Sequence, residues 1–402
     1  MAVQQNSKLM FVAIVLFLLM PIVGILFAAT IVIQNNIKDK RIYFFLFLLM
    51  ALYMGVINVT KTPASDQVQY MNAYMQIPNQ TLFESLTNIY GDSSRLTYKE
   101  MGYGLLNFLG YYISFGNYKL FIIEFTVFLY MLLMISIYKF FTYLEVYPFK
   151  YYIISAIFIL CFFSQFFNIT IHLQRQIIAT AVMIWALIDT TIKQKVNWFI
   201  ALIAVTLHTS VALFLPVFAF VYFRKRLKVW HIFCLMAIFC LSMSILSSIS
   251  SVFLSLIGGD VYGLSRLANA GTSIEDRFNT NIMLFFSIPL LYISIRELWK
   301  NRYNINNSIN LLFIAYCFLI CFSYLNPDNT MQYRYFMMSY SFMPFILPLM
   351  FKRNNNYRKI YLFLIAAFFL FRFYATFEDM VWDYASVEDV LLKNYIWFLF
   401  YR

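Results

Sequence analysis

Apolar runs of helix length recur along this chain from Leu9 to Leu399, and no long polar interval separates them. Crossing the hydrocarbon core of a bilayer as a helix takes about 20 residues. Runs that meet or approach that length lie near residues 9–33, 42–58, 118–141, 151–169, 175–192, 229–257, 281–299, 308–325, 335–351 and 359–376. The pattern predicts an all-α integral membrane fold with about ten transmembrane helices, read as a single polytopic domain over residues 1–402. Lys8 precedes the first run, and Phe27-Ala28-Ala29 is similar to a signal-peptide cleavage site. Signal peptides carry apolar cores of only about 7–15 residues, so 9–33 is read as a retained span.

Composition agrees with the pattern. The 402 residues are 62% hydrophobic and 21% aromatic, and only 12% are charged. Mean hydropathy is +0.72, which leaves no room for a separate soluble catalytic domain. A net charge of +12 could point to nucleic acid, but the basic residues punctuate the spans instead of forming one patch, so no nucleic-acid partner is expected. Cys161, Cys234, Cys240, Cys317 and Cys321 all sit in apolar stretches, as small hydrophobes do. Three histidines in three segments, with no HExxH, give no metal motif. Neither a transition metal nor another cofactor is expected.

Charge also orients the chain, because cytoplasmic loops are enriched in lysine and arginine. Lys38, Lys40, Arg41, Lys139, Lys150, Lys193, Lys195, Arg224, Lys225, Arg226, Lys228, Arg296, Lys300, Arg302, Lys352, Arg353, Arg358 and Lys359 fall on one set of alternate loops. These are eighteen of the 30 basic residues, and only Asp39, Glu145, Asp189 and Glu297 accompany them. Both termini and the long loops are thereby assigned to the outer face. They comprise a first large segment at 59–117, a second loop at 258–280, a short turn at 326–334 and an interfacial tail at 377–402.

One interval resists simple alternation. Lys193 and Lys195 precede it, the cluster from Arg224 follows it, and about one span lies between. A re-entrant helical hairpin over 197–207 and 209–223, turning at His208-Thr209-Ser210, would return both flanks to the cytoplasm. Its arms would be about 16–22 Å long, short of the roughly 30 Å core. A single ordinary span beside a misjudged neighbour is the other reading.

The polar residues gather toward the outer ends of spans. His172, Gln174, Arg175 and Gln176 cluster at one such end. A guanidinium offers planar donors matched to phosphate oxygens, although an arginine there can also snorkel to the interface. Tyr333 and Arg334 open another span, where tyrosine also suits an interfacial belt. Arg266 and Arg277 lie in and beside the second loop, as substrate contacts or as solvated charges. Asp66 follows the second span and shares a helix face with Tyr70 and Tyr74, as a sugar-binding carboxylate beside aromatic rings or as a helix cap. Departure of a pyrophosphate needs stabilisation of negative charge, which fixed arginines supply. A hydroxyl acceptor gains from a base, and Asp66, His172 and His208 are the candidates.

Asp66 with Tyr70, Arg175-Gln176 with Ala179, His208-Thr209-Ser210 with Pro216, and Tyr333-Arg334-Tyr335 occur in this order and on this side. In these the chain resembles the Wzy-type O-antigen and capsule polymerases, especially the EpsG-like proteins. The resemblance implies a GT-C-like, all-helical glycosyltransferase of the bacterial inner membrane, working at the periplasmic face. Its substrate would be an undecaprenyl-pyrophosphate-linked oligosaccharide held among membrane lipid, with a flippase and a chain-length regulator as partners. By the same resemblance Arg175, Gln176, Tyr70, Tyr333 and Arg334 are expected to bind substrate, and the mixed charge of the second loop adds Arg266 and Arg277 to them. The alternative is a flippase or secondary transporter of lipid-linked sugars, which should show repeated halves and polar residues at the bilayer midplane. A multispanning acyltransferase is the third reading.

Overall fold

The computed structural model describes residues 2–34, 40–64, 66–89, 100–224, 228, 230–232, 234–235, 237–238, 277–300, 309–325, 329–352, 356–378 and 383–401. Among the described residues the regular structure is helical and no strand occurs. A bilayer imposes this economy, because a helix satisfies its backbone polar groups within one segment.

Among the described residues, three uninterrupted helices are long and apolar enough to cross a membrane: α3 (Lys40–Val59), α7 (Tyr118–Tyr143) and α10 (Gln174–Lys193). They coincide with the expected spans at 42–58, 118–141 and 175–192. The run at 151–169 forms α8 (Phe149–Phe162) and α9 (Ser164–His172), bent by 58° at Phe163. The run at 9–33 also divides, into α1 (Ala2–Leu19) and α2 (Pro21–Gln34). Pro21 begins the second piece, where its missing N–H costs nothing. Gly24 lies so close to α1 that an added Cβ would stand 2.4 Å from the Phe17 nitrogen, so the two helices fold back on each other. At 335–351 prolines again break the expected span. Helix Asn329–Tyr340 stops before the short helix Met343–Ile346, which carries Pro344, and a 3-10 turn at Leu347–Lys352 carries Pro348. Most of the expected span at 229–257 lies outside the described residues, as does most of the loop at 258–280.

The chain divides into two compact units. The first comprises Met1–Trp185, Leu202–Thr209 and Phe351–Arg402. α10 enters its core, where every side chain from Gln174 to Ala181 is buried. Asn58 Nδ2 donates to Thr126 Oγ1 at 3.2 Å and to Thr170 Oγ1 at 3.1 Å, which joins α3, α7 and α9 through one buried amide. Buried polar side chains in such a setting need partners, and this link fixes three helices just below the polar residues that follow α3. The first large segment folds into α4 (Asp66–Gln76), α5 (Leu82–Thr87) and α6 (Met101–Ile113). A capping box between Thr81 and Glu84 starts α5.

The expected interfacial tail becomes two short helices, Val387–Leu392 and Tyr395–Leu399, pinned to the bundle. Tyr53 Oη donates to the Val390 carbonyl at 2.9 Å, Thr62 N to the Asp383 carbonyl at 3.0 Å, and Ala385 N to Thr60 Oγ1 at 3.3 Å.

The second unit comprises Ala186–Ala201 and Ser210–Met350. Helix Leu311–Leu325 packs against Arg277–Lys300 and Asn329–Tyr340. Gln194 exchanges amide hydrogen bonds with the Ile309 backbone at 3.1 and 3.2 Å and accepts from Arg224 Nη1 at 3.1 Å. Residues 197–223, where the charge pattern predicts a hairpin, form α11 (Trp198–Leu207), of which residues 202–207 belong to the first unit, then a 3-10 turn (Thr209–Phe214) and α12 (Leu215–Phe223). Within the second unit, Trp198 Nε1 donates to Tyr222 Oη at 3.0 Å. Arg224 Nη1 also donates to the Gln194 carbonyl at 3.1 Å, so the two basic flanks lie together.

Candidate functional site

The candidate site lies in the first unit and draws on four stretches of chain: residues 61–70, 100–103, 172–175 and 208. Arg175 sits in the first turn of α10 and is 7% exposed. Its Nη1 donates to Glu100 Oε2 in a buried ion pair. Its Nε donates to Tyr70 Oη at 3.4 Å, and the guanidinium carbon lies 5.3 Å from the centre of the Tyr70 ring. A snorkelling arginine would extend to water, whereas this one is held inward by a carboxylate and an aromatic face.

Glu100 immediately precedes α6 and uses its other oxygen toward the hairpin. His208, at the turn between α11 and Thr209–Phe214, brings Nε2 to 3.5 Å from Glu100 Oε1. A glycine makes this approach feasible. An added Cβ on Gly102 would meet Thr206 Oγ1 at 2.4 Å and the Thr206 carbonyl carbon at 2.9 Å, so only a bare Cα lets α6 and α11 approach this closely.

Asp66 opens α4, and its charge is felt by both Tyr70 and His172. His172 ends α9 and also feels the charge of Lys61. Lys61 is 4% exposed and donates to Gln67 Oε1 at 2.9 Å. Burial pushes its ammonium down to about 8. Tyr103, under the Tyr70 ring at 5.5 Å, donates to Gln174 Oε1 at 2.6 Å. Burial raises the Tyr70 phenol above its ordinary value, and the neighbouring Arg175 partly offsets the rise.

Of the residues expected from sequence, Asp66, Tyr70, His172, Arg175 and His208 come together here. Gln176 is buried beside them in α10 at 3% exposure. Tyr70 and Tyr74 are buried as well, at 2% and 0%. Arg175 covers the Tyr70 ring with Tyr103 tilted beside it, and Tyr74 stacks on Phe121, which leaves no open platform for a sugar. Tyr333 and Arg334 belong to the second unit, on helix Asn329–Tyr340, with Tyr333 42% exposed and Arg334 half-buried. Arg277 begins a helix, but its side chain lies outside the described residues, as does all of Arg266. Sequence reasoning missed Glu100, Lys61, Gln67 and Tyr103. The one available signal was an acid and a lysine placed directly against apolar helices, where ionisable groups are unusual.

A buried guanidinium, a lysine, two carboxylates and two imidazoles in one neighbourhood can bind an anion and move a proton. Among the described residues, no group of three or more His, Cys, Asp or Glu side chains is placed to hold a metal ion. No curated protein and no solved structure matches the chain. The sequence profile of the EpsG family matches residues 40–386, a stretch that contains every residue of the site. With its apolar helices and this match over most of its length, the chain is a multi-pass membrane protein that belongs to the EpsG family, a family associated with glycosyltransferase-like glycan polymerase activity.

Proposed function

We propose that this protein is a Wzy-type polysaccharide polymerase. It moves a growing glycan from undecaprenyl pyrophosphate to an incoming lipid-linked oligosaccharide repeat at the periplasmic face of the bacterial inner membrane. About ten spans in a GT-C-like arrangement, a re-entrant hairpin and the outer loops as periplasmic segments belong to the same proposal. Arg175 contacts the pyrophosphate leaving group, where a planar cation offsets charge as the glycosidic oxygen departs. Asp66, His172 and His208 are the groups that can take the acceptor proton. Gln176, Arg266, Arg277, Tyr333 and Arg334 remain proposed substrate contacts, and Tyr70 acts by holding Arg175. A flippase and a chain-length regulator are the proposed partners.

The observation that carries the reading is the buried Arg175–Glu100–His208 arrangement: an anion-binding group and a proton-accepting group share one carboxylate. Family membership supports polymerisation over transport. The test is purified protein mixed with synthetic lipid-linked repeats, with product length read on a gel. A ladder supports the proposal, and unchanged monomeric repeat beside folded protein refutes it. Sidedness has its own check. Cysteines at positions 195 and 225 should label from the cytoplasm, and reporters active only in the periplasm should work after Gly91 and Gly271 but fail after Lys300 and Asn355. The reverse pattern inverts the topology.

A further inference from the structure

One carboxylate serves two partners. Glu100 Oε2 accepts from Arg175 Nη1, and Oε1 faces His208 Nε2 at 3.5 Å. The side chains are 10% exposed for Glu100, 8% for Arg175 and 14% for His208, so little water is at hand to replace either contact. We propose that Glu100 is a positioning residue for glycan transfer: it is the counter-ion of Arg175 in the empty protein and passes to His208 when a donor pyrophosphate takes the guanidinium. The proposal rests on the polymerase reading and deepens it.

The chemistry runs as a competition. A pyrophosphate carries more charge than a carboxylate and accepts the same guanidinium fork. Two anions confined beside one buried cation repel each other, which drives Glu100 toward the basic partner it already faces. Its oxygen then holds the proton on His208 Nε2, fixing the tautomer and leaving Nδ1 as the basic nitrogen. In the transfer step the acceptor hydroxyl oxygen bonds to the anomeric carbon. The bond from that carbon to the pyrophosphate oxygen breaks, and its electron pair leaves with the pyrophosphate. The hydroxyl proton ends on His208 Nδ1.

The two duties make Glu100→Gln move two measurements in opposite directions. If Arg175 is occupied by Glu100 about nine-tenths of the time, removing the charge tightens inorganic pyrophosphate binding about tenfold. Turnover per folded molecule falls about 100-fold, because the base loses its orienting charge. The experiment measures inorganic pyrophosphate affinity of the purified full chain, and turnover with lipid-linked repeats, for Glu100→Gln and Glu100→Asp. Aspartate keeps the charge at shorter reach, so it should shift both quantities in the same directions by less, and it decides the matter alone if the glutamine variant does not fold. Unchanged or weaker pyrophosphate binding in these variants overturns the hand-over. Arg175→Ala separates the failures. If it binds pyrophosphate like the wild type, the anion site itself is wrong; if it loses binding while Glu100→Gln is no tighter, only the hand-over is wrong.

Discussion

Arg175 and Arg334 look alike in sequence, each near the start of a helix with glutamine and apolar residues around it, yet the protein treats them differently. Arg175 is 7% exposed and held by Glu100 and Tyr70. Arg334 is half-buried in a helix whose neighbouring Tyr333 is 42% exposed. A buried guanidinium is costly without a carboxylate, and the carboxylate comes from a residue 75 positions earlier. An arginine that a fold buries against a carboxylate in this way is the stronger candidate for a site, whereas a half-buried one has a simpler interfacial explanation as well.

The comparison is most exposed to removal of the counter-ion. Glu100→Ala should cost about 3–5 kcal/mol, the usual penalty for breaking a buried ion pair from one side. The exposed Glu388→Ala should stay within about 0.5 kcal/mol. Thermal unfolding in detergent compares them, and similar losses would mean that the Arg175 pair is not buried in any energetic sense. Next in size, Arg175→Ala should lower polymer formed per membrane-inserted molecule by about 10²–10³-fold. Arg175→Lys should fall between that and wild type, since it keeps charge but loses the fork. Arg334→Ala should lose less than about tenfold, and equal losses at both arginines would erase the distinction drawn here.

Gly102→Ala tests the packing that brings His208 to Glu100. Crowding against Thr206 should cost about 1–3 kcal/mol, with lost transfer activity accompanying lost stability; a fully stable and active variant would show that the approach of α6 to α11 is not needed. The smallest effect concerns pH. A lysine held at about 8 carries its burial penalty below that pH and sheds it as the pH rises toward the ordinary lysine range. The stability advantage of Lys61→Met over wild type should therefore be greatest at pH 7 and narrow at pH 9.5. A difference independent of pH would place Lys61 in water.

Much of the fold was legible because the bilayer simplifies the code. Length and apolarity located α3, α7 and α10, and the two basic flanks that the charge pattern paired do lie together, at Gln194 and Arg224. Breaks were harder to see. Proline marks those at Pro21 and Pro344, but the bend at Phe163 contains neither proline nor glycine, and Phe163 itself packs on Phe369 at 5.0 Å. Such a bend depends on distant partners. The site divides in the same way. Asp66, Arg175 and His208 stood out as polar residues among apolar neighbours, and their order along the chain carried the family resemblance. Glu100 did not stand out, because its significance lies in Arg175 and His208, which reach it only through the tertiary fold. Tyr70 was read as a sugar platform because sequence shows an aromatic ring but not what covers its face.

The fastening of residues 60–62 to Asp383 and Ala385 sets a schedule for biogenesis. Thr60 and Ala385 are 325 residues apart, and both lie within the stretch matched by the family profile. As synthesis proceeds from the N-terminal side, the turn that carries Lys61 is released early and waits for its clasp until helix Asn356–Glu378 and the residues after it have been made. Assembly is therefore completed from the far end of the chain, and a nascent polypeptide stalled before residue 383 lacks the strap beside its site.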